Sequence, residues 1–596
     1  MKNNFNSKHN HKNANPNNSK MKGYDFMKKT NKFAAFALAA CMMAPMAMAT
    51  TASFTASATN VTISSSSDKA THTYTAYKIF DGSYSTNGLT VTGWATGFDS
   101  AGLLADADFK SIEIVTDSTT DPVTTSTIGA VIGSNTDAAA VAQAIEKIAS
   151  NSSTADKLAS VLAKYVGTSG TELSGTAVDL PAGYYIVKDT MTGDPHDAVS
   201  KFILEVSGGD TDINIVTKKS YPTVEKKVKE NVKDITGKAK YETSTTEKWN
   251  DVADYNIGDA VPFKLYGTMP DTLDDYEHYY YQFSDSLGSQ FEVPKNIKIY
   301  IDGNEITPKA GVCEVSTAVA IPGTRGPELM VKFNDIKSID LDASTPGTQS
   351  LTKDSIVTIE YTAVLNSKAE IGLPGQENKV KLEYSNNPNA TGDGTTKPGD
   401  TGETPEDKVI VFTYELDTTK VDKATSAKLA DAKFRLYREN GSTVEYVKVD
   451  TDSKVTGWTT NDAEASTLIS DTNGLFKVIG LDDGTYFLEE TEAPGSYNKL
   501  TAPVEVAIKA ETANNQSWDA TPAKALTKLD VTADGKDGTG DVATGIASIN
   551  IANSKGSTLP STGGIGTTIF YVLGGTLVVG SGIALVTKKR LGKNED

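Results

Sequence analysis

The pattern L-x-x-G-x-Y-x-x-x-[D/E]-T occurs twice in this chain, as LPAGYYIVKDT at 180–190 and as LDDGTYFLEET at 481–491. The likeness extends on both sides. Tyr77-Lys78-Ile79-Phe80 before the first copy parallels Phe434-Arg435-Leu436-Tyr437 before the second. Ile213-Asn214-Ile215-Val216-Thr217 after the first parallels Ile549-Asn550-Ile551-Ala552-Asn553 after the second. Short runs that alternate apolar and polar residues are half-buried strands. The spacing therefore predicts two modules with one sandwich fold, separated by a different β module of about 180 residues.

The middle stretch has the same texture. Val357–Tyr361 (VTIEY) and Lys379–Tyr384 (KVKLEY) alternate strictly, and each predicts a strand with one buried face. Asp137–Tyr165 departs from it, with Val141, Ile145, Ile148, Leu158, Val161, Leu162 and Tyr165 at helical spacing and a break near Asn151-Ser152-Ser153. This predicts two helices inserted in the first module. Gly392–Glu406 is rich in Gly, Thr, Pro and acid and reads as a linker. The expected fold class is all-β: tandem immunoglobulin-like sandwiches, with a short helical insertion in the first. The expected division is 1–49 leader and signal peptide, 50–219 first domain, 220–405 middle domain, 406–556 C-terminal domain and 557–596 sorting segment.

Both ends carry addresses. Met27-Lys28-Lys29 and Lys32 precede the apolar stretch Phe33–Ala49, which ends in Ala47-Met48-Ala49, an A-x-A cleavage site; Ala56-Ser57-Ala58 is a second candidate. Leu38-Ala39-Ala40-Cys41 fits a lipoprotein box, but the apolar stretch runs on past Cys41. Cleavage leaves Cys313 alone, so an internal disulfide is not expected in the exported chain. Near the other end, Leu559-Pro560-Ser561-Thr562-Gly563 is followed by apolar Gly564–Val586, long enough to span a bilayer, and then by Lys588-Lys589-Arg590. With 57 basic and 76 acidic residues the net charge is −19. A nucleic-acid partner is excluded, because phosphate binding needs a basic surface. Five His, no G-x-S-x-G and no metal-ligand cluster speak against an enzyme, and no cofactor is expected.

Pentapeptide, span and basic tail in that order resemble the sorting signal of Gram-positive surface proteins. TYTAYKIFDG at 73–82 and LPAGYYIVKD at 180–189 resemble the first domain of sortase-assembled pilus backbone proteins. SYPTVEKKV at 220–228, IEYTAVLN at 359–366 and ENKVKLEYSNNP at 377–388 resemble their isopeptide-forming middle domain. TKVDKATSAKLADAKFRLY at 419–437 and YFLEETEAPGSY at 486–497 resemble their collagen-binding-protein B-type domain.

That resemblance implies a structural protein. A sortase cysteine would cleave between Thr562 and Gly563 and pass the Thr562 carboxyl to an amine. A class C sortase would join it to a lysine of another copy, and a housekeeping sortase would attach the last subunit to the cell wall. Ancillary pilins and host surface ligands would be further partners. The usual acceptor motif, Y-P-K-like, is altered here to Val216-Thr217-Lys218-Lys219-Ser220-Tyr221-Pro222, with Lys219 preferred and Lys218 close behind. An acceptor is expected to be exposed on a flexible segment. A wall-anchored monomeric adhesin or an ancillary pilin is the alternative, although a D-x-S-x-S metal motif is absent.

The resemblance also implies spontaneous Lys–Asn isopeptide bonds. These need a lysine made neutral by burial, an amide held beside it and an acid that moves protons. The matching residues are Lys420, Asn553 and Glu490 in the last module, and Lys226, Asn378 and Asp285 in the middle one. Lys227 is the rival of Lys226, because one step along a strand flips the face, and Glu360 is the rival of Asp285. In the first module Thr217 stands at the Asn553 position and Ile63 or Ser64 at the Lys420 position, while Asp189 matches Glu490. No bond is expected there.

Overall fold

In the computed structural model the described residues are 58–556, less 66–68, 86–87, 120–121, 208–211, 243–246, 320–325, 342–349 and 517, together with isolated helical residues between 573 and 581. The expected signal peptide, the LPSTG pentapeptide and most of the apolar run after it lie outside the described residues.

Alternation becomes sheet throughout. In the first domain Thr71–Ser85 is the long central strand, flanked by Gly88–Trp94 and Gly183–Thr192, with Ile203–Ser207 at the edge. The facing sheet is Ala58–Ser65 between Val178–Pro181 and Ile213–Thr217. Val61, Ile63, Tyr74, Ala76, Leu180 and Val187 fill the space between them.

The insertion has a second core. Among its described residues, five short helices are found where the periodicity predicts two. Ala138–Ile145 and Ser153–Leu162 are the expected pair, with Ser100–Ala105, Ala107–Ser111 and Ile128–Ile132 in addition. Those three have five or six residues, too few to display a helical period. Each helix starts on a side chain that takes an orphan N–H: Asp99, Asp106, Thr127, Asp137 and Ser152.

The middle domain packs two larger sheets face to face. One contains Val224–Lys229, Ala260–Thr268, Ile356–Val364 and Lys295–Ile301. The other contains Gln376–Ser385, Tyr281–Leu287, Glu328–Phe333 and Asp407–Phe412. Asp407–Phe412 pairs with Gln376–Ser385 at the register Asn378↔Val409. The middle domain thus extends past the expected boundary at 405/406. The expected linker 392–406 also holds a strand, Thr401–Glu403, on the same sheet. The composition of that segment shows polarity but not the neighbour that its backbone finds.

The C-terminal domain begins with Tyr414–Asp422, one residue beyond the end of Asp407–Phe412. Its first and last strands pair in parallel, Tyr414–Asp422 with Ile546–Asn553. The first domain does the same, Ala58–Ser65 with Ile213–Thr217. The repeated Gly-x-Tyr has one cause in both: Tyr185 donates to the Pro181 carbonyl at 2.7 Å and Tyr486 to the Asp482 carbonyl at 3.0 Å. Each tyrosine hydroxyl reaches the backbone four residues upstream, Tyr486 sharing its own with Asn256 Oδ1 at 3.0 Å, and fixes the corner by which the chain enters the strand.

Successive domains are bonded at their joints. Val199 donates to the Asn386 carbonyl at 2.7 Å and Phe202 N–H to Asn389 Oδ1 at 2.8 Å. At the second joint Ile257 N–H donates to the Gly480 carbonyl at 2.9 Å, and Arg438 reaches Asp259 at 3.2 Å. Gly372 and Gly545 meet there so closely that a Cβ on Gly372 would stand 2.4 Å from the Gly545 nitrogen.

Candidate functional site

Lys226, Lys420 and Lys219 draw their side chains in from the surface, and each meets a carboxylate. In the middle domain, Val224–Lys229 runs antiparallel to Ala260–Thr268, with Lys226 opposite Leu265. Lys226 therefore shares the inner face with Phe263, Leu265 and, on the next strand, Tyr361. From the opposite sheet, Asp285 and Phe283 alternate inward along Tyr281–Leu287, and Asn378 does so along Gln376–Ser385. Lys226 and Asn378 are fully buried, and Asp285 is 1% exposed.

Lys226 Nζ lies 2.7 Å from Asp285 Oδ2 and donates to the Tyr361 hydroxyl at 3.0 Å. Tyr361 donates to Asp285 Oδ2 at 2.7 Å and accepts from Asn378 Nδ2 at 2.7 Å. The hydroxyl bridges amine, acid and amide. Burial pulls Lys226 below the ordinary lysine pKa, against the opposing pull of Asp285. Burial likewise pushes Asp285 up, against Lys226. Both groups are driven toward neutrality, the pairing of free amine and carboxylic acid that amide exchange requires.

The rivals lie on the other face of the sheet, away from Asp285 and Asn378. Lys227 lies opposite Lys264 there, and Lys264 opposite Glu360. Its Nζ lies 2.6 Å from Asp251 and 2.9 Å from Glu225. Burial disfavours its charge, but those two carboxylates outweigh it and hold the pKa above the ordinary value. Glu360 salt-bridges Lys264 at 3.0 Å. Tyr361 is the member that sequence reasoning missed. Its position was available, since it follows Glu360 in an alternating strand and must face the other way.

In the C-terminal domain the three predicted residues are in direct contact. Lys420 Nζ hydrogen-bonds Asn553 Oδ1 and lies 3.2 Å from Glu490 Oε1. Asn553 Nδ2 donates to both Glu490 oxygens, at 2.8 and 3.0 Å, and to the Asn498 carbonyl at 3.1 Å. Lys420 is fully buried, with its ammonium position 5.2 Å from the centre of the Phe434 ring. Burial lowers its pKa, with Glu490 opposing. The amine faces the amide carbonyl, and the acid holds the nitrogen that would leave as ammonia.

The first domain shows what replaces this arrangement. Asp422 pairs with Asn553, and Ser65 pairs with Thr217. Two residues back along each strand are Lys420 and Ile63, so Ile63 occupies the lysine position, and it is 3% exposed. Asp189 keeps the place of Glu490 but binds His72 and Ser200. Lys218 is exposed, whereas Lys219 turns inward, with its side chain 2% exposed. Its Nζ lies 2.8 Å from His72 Nε2 and 3.6 Å from Asp197 Oδ1. The expectation that the preferred acceptor is a freely exposed linker lysine fails for Lys219, because the segment after Thr217 lies against the domain instead of hanging free.

Among the described residues, Glu230, Asp254 and Asp483 come close enough to share a cation. They lie at the second joint, and Lys233 is already among them, bonded to Asp254 and 3.0 Å from Asp483. Burial, with Asp254 adding to it, pushes Glu230 up to about 7 and Asp483 up to about 6.

Residues 414–522 match the SpaA prealbumin-like fold domain, and 551–590 match the LPXTG cell wall anchor motif. The trypsin-resistant surface T6 protein of Streptococcus pyogenes serotype M6 is 28% identical over 283 residues, 39% of this chain and 48% of that protein. The chain thus matches about half the length of this curated relative. Among solved structures, the T6 backbone pilin of serotype M6 Streptococcus pyogenes is 17% identical with a TM-score of 0.45, covering 84% of this chain and 99% of that one. The full-length major pilin SpaD from Corynebacterium diphtheriae is 14% identical with a TM-score of 0.41, covering 85% and 99%. The chain is a cell-wall-attached extracellular protein, and the families it matches are structural rather than enzymatic.

Proposed function

We propose that this chain is the repeating shaft subunit of a covalent Gram-positive pilus. A class C sortase joins Thr562 of one copy to a lysine in the Lys218-Lys219 segment of the next, and a housekeeping sortase anchors the finished fibre to the wall. The observation that carries this reading is the wall-anchor motif at 551–590 in the same chain as a lysine pair at the first interdomain joint.

Within each subunit, Lys226–Asn378 and Lys420–Asn553 form isopeptide bonds. The neutral amine attacks the side-chain amide carbon, the acid protonates the departing nitrogen, and ammonia leaves. Burial on both sides of each sandwich supports this, as do bonded joints that pass tension from one domain to the next. The first domain carries no such bond.

Wall extracts from the native host, run on denaturing gels, test the assembly. The expected result is a high-mass ladder that vanishes when Lys218 and Lys219 are both replaced by Arg. A single anchored band in the wild type would instead mark a monomeric adhesin or an ancillary subunit.

A further inference from the structure

Lys219 is held in a geometry that a linker lysine does not need. His72 Nδ1 lies 2.8 Å from Asp189 Oδ1, and His72 Nε2 lies 2.8 Å from Lys219 Nζ. Asp189 is itself fixed, accepting from Ser200 N–H at 2.8 Å and from the Ser200 hydroxyl at 2.9 Å. A carboxylate that orients an imidazole, whose far nitrogen meets a nucleophile, is the general arrangement for activating that nucleophile. Resting on the pilus reading above, we propose that Lys219 is the sortase acceptor, that His72 is its general base, and that Asp189 positions the imidazole.

The chemistry balances. With Nδ1–H donated to Asp189, His72 Nε2 takes one proton from the Lys219 ammonium. The free amine attacks the thioester carbonyl of a sortase cysteine acylated by Thr562. The C–S bond breaks, the thiolate leaves, and the second proton lost from nitrogen converts it to thiol. The imidazolium then returns its proton to water. Asp197 Oδ2 lies 3.3 Å from His72 Nε2, so the charged ring would find a carboxylate on each side.

Asp197 is suited to remain ionised. Lys69 and Ala70 N–H donate to its Oδ2 at 2.6 and 2.9 Å, and Ala198 N–H donates to Oδ1 at 2.9 Å. Burial works against its charge, but these donors and Lys219 outweigh it and keep its pKa low. The groups that face the ring are therefore Asp189 from Gly183–Thr192, Asp197 from the loop that follows, Lys219, and Tyr74 stacked at 6.0 Å on its own strand. Burial disfavours the charged ring, yet Asp189 outweighs it and holds the His72 pKa above the ordinary value.

The arrangement explains a conflict. By exposure Lys218 is the better acceptor, and by activation Lys219 is. Because the Lys219 side chain is 2% exposed, the Asp197 loop must lift for the acyl-enzyme to reach it. This loop is the one bonded to Asn386 and Asn389 of the middle domain.

The test follows the initial rate of ladder formation by full-length protein in the native host, after pulse labelling, at external pH 6 to 9. Lys219→Arg should abolish the ladder and Lys218→Arg should leave it. His72→Gln should slow it about 100-fold at pH 7. The loss should shrink toward pH 9, where the free-amine fraction of an unassisted lysine has risen by about 100-fold. Asp189→Asn should slow it at least about tenfold with the same pH rescue, and it carries the test should His72→Gln fail to reach the wall. Wild-type rates for both variants at every pH would overturn the base, and a loss without pH rescue would do the same. A ladder lost with Lys218→Arg but kept with Lys219→Arg would overturn the acceptor while leaving the pilus intact. A wild type that forms no ladder would overturn the pilus reading itself.

Discussion

Glu490→Gln should yield a C-terminal domain that folds but stays unlinked. Gln has the shape of Glu and, with its oxygen in the Oε2 place, keeps the Leu500 N–H and one contact from Asn553 Nδ2, yet it has no acidic proton to deliver to a departing amide nitrogen. Lys420 and Asn553 are 133 positions apart. Closing a loop of that length removes about 5 kcal/mol of unfolded-chain entropy, reasoning as for a disulfide. For a domain of this size ~1 kcal/mol corresponds to about 2–4 °C. The unlinked domain should therefore melt about 10–20 °C below the linked one.

Intact mass and calorimetry on the mature chain check this together. The wild type should be lighter than its sequence by two ammonia molecules, and the variant by one. pH adds an independent reading. In the variant Lys420 remains an amine, and burial lowers its folded pKa. Between that value and the unfolded value near ~10.4, the unfolded chain binds more protons than the folded one. Stability of the variant should then rise with pH through this window, and the full cost should be present below it. The linked wild type has an amide nitrogen there and should lack this slope. A wild type at full sequence mass would refute the bond. A variant that still loses two ammonia molecules and melts with the wild type would refute the role of the acid.

The middle domain should repeat this for one of two adjacent lysines. Lys226→Met should retain one ammonia, whereas Lys227→Ala should change no bond and only weaken folding, by about 1–3 kcal/mol, because Asp251 loses its partner; intact mass and urea midpoints separate them. Tyr361→Phe removes the hydroxyl that touches amine, acid and amide, so mass spectra taken after refolding should show the middle bond forming more slowly or not at all. Cys313 is 1% exposed and burial pushes its thiol up to about 12; alkylation should fail on the native protein and proceed after denaturation.

Much of this was legible because strand alternation assigns faces. Once Phe283 is placed in the core, Asp285 must follow it, and Lys226 and Lys227 must part. The internal repeat put Thr217 at the Asn553 position and Ile63 or Ser64 at the Lys420 position, and the two parallel strand pairs select Ile63. The end of the middle domain was not legible. Asp407–Phe412 lies next to a polar segment in sequence, but its hydrogen-bond partners are the strands Gln376–Ser385 and Val252–Asp254.

The sequence alone determined which residue types face inward, because period-two alternation is a local property. Joined to the family resemblance, it pointed to two Lys–Asn–carboxylate sets, with Lys227 and Glu360 as rivals in the middle one, and to none in the first module. What only the tertiary structure decided is how positions far apart in the chain meet. Tyr361 joins the middle set because its strand lies two places from that of Lys226, across Ala260–Thr268. Lys219 turns inward to meet His72 and Asp197, with Asp189 behind the ring, three groups brought by three different segments. No pattern along the chain encodes those meetings, since they depend on sheet order and on which loop closes over which strand.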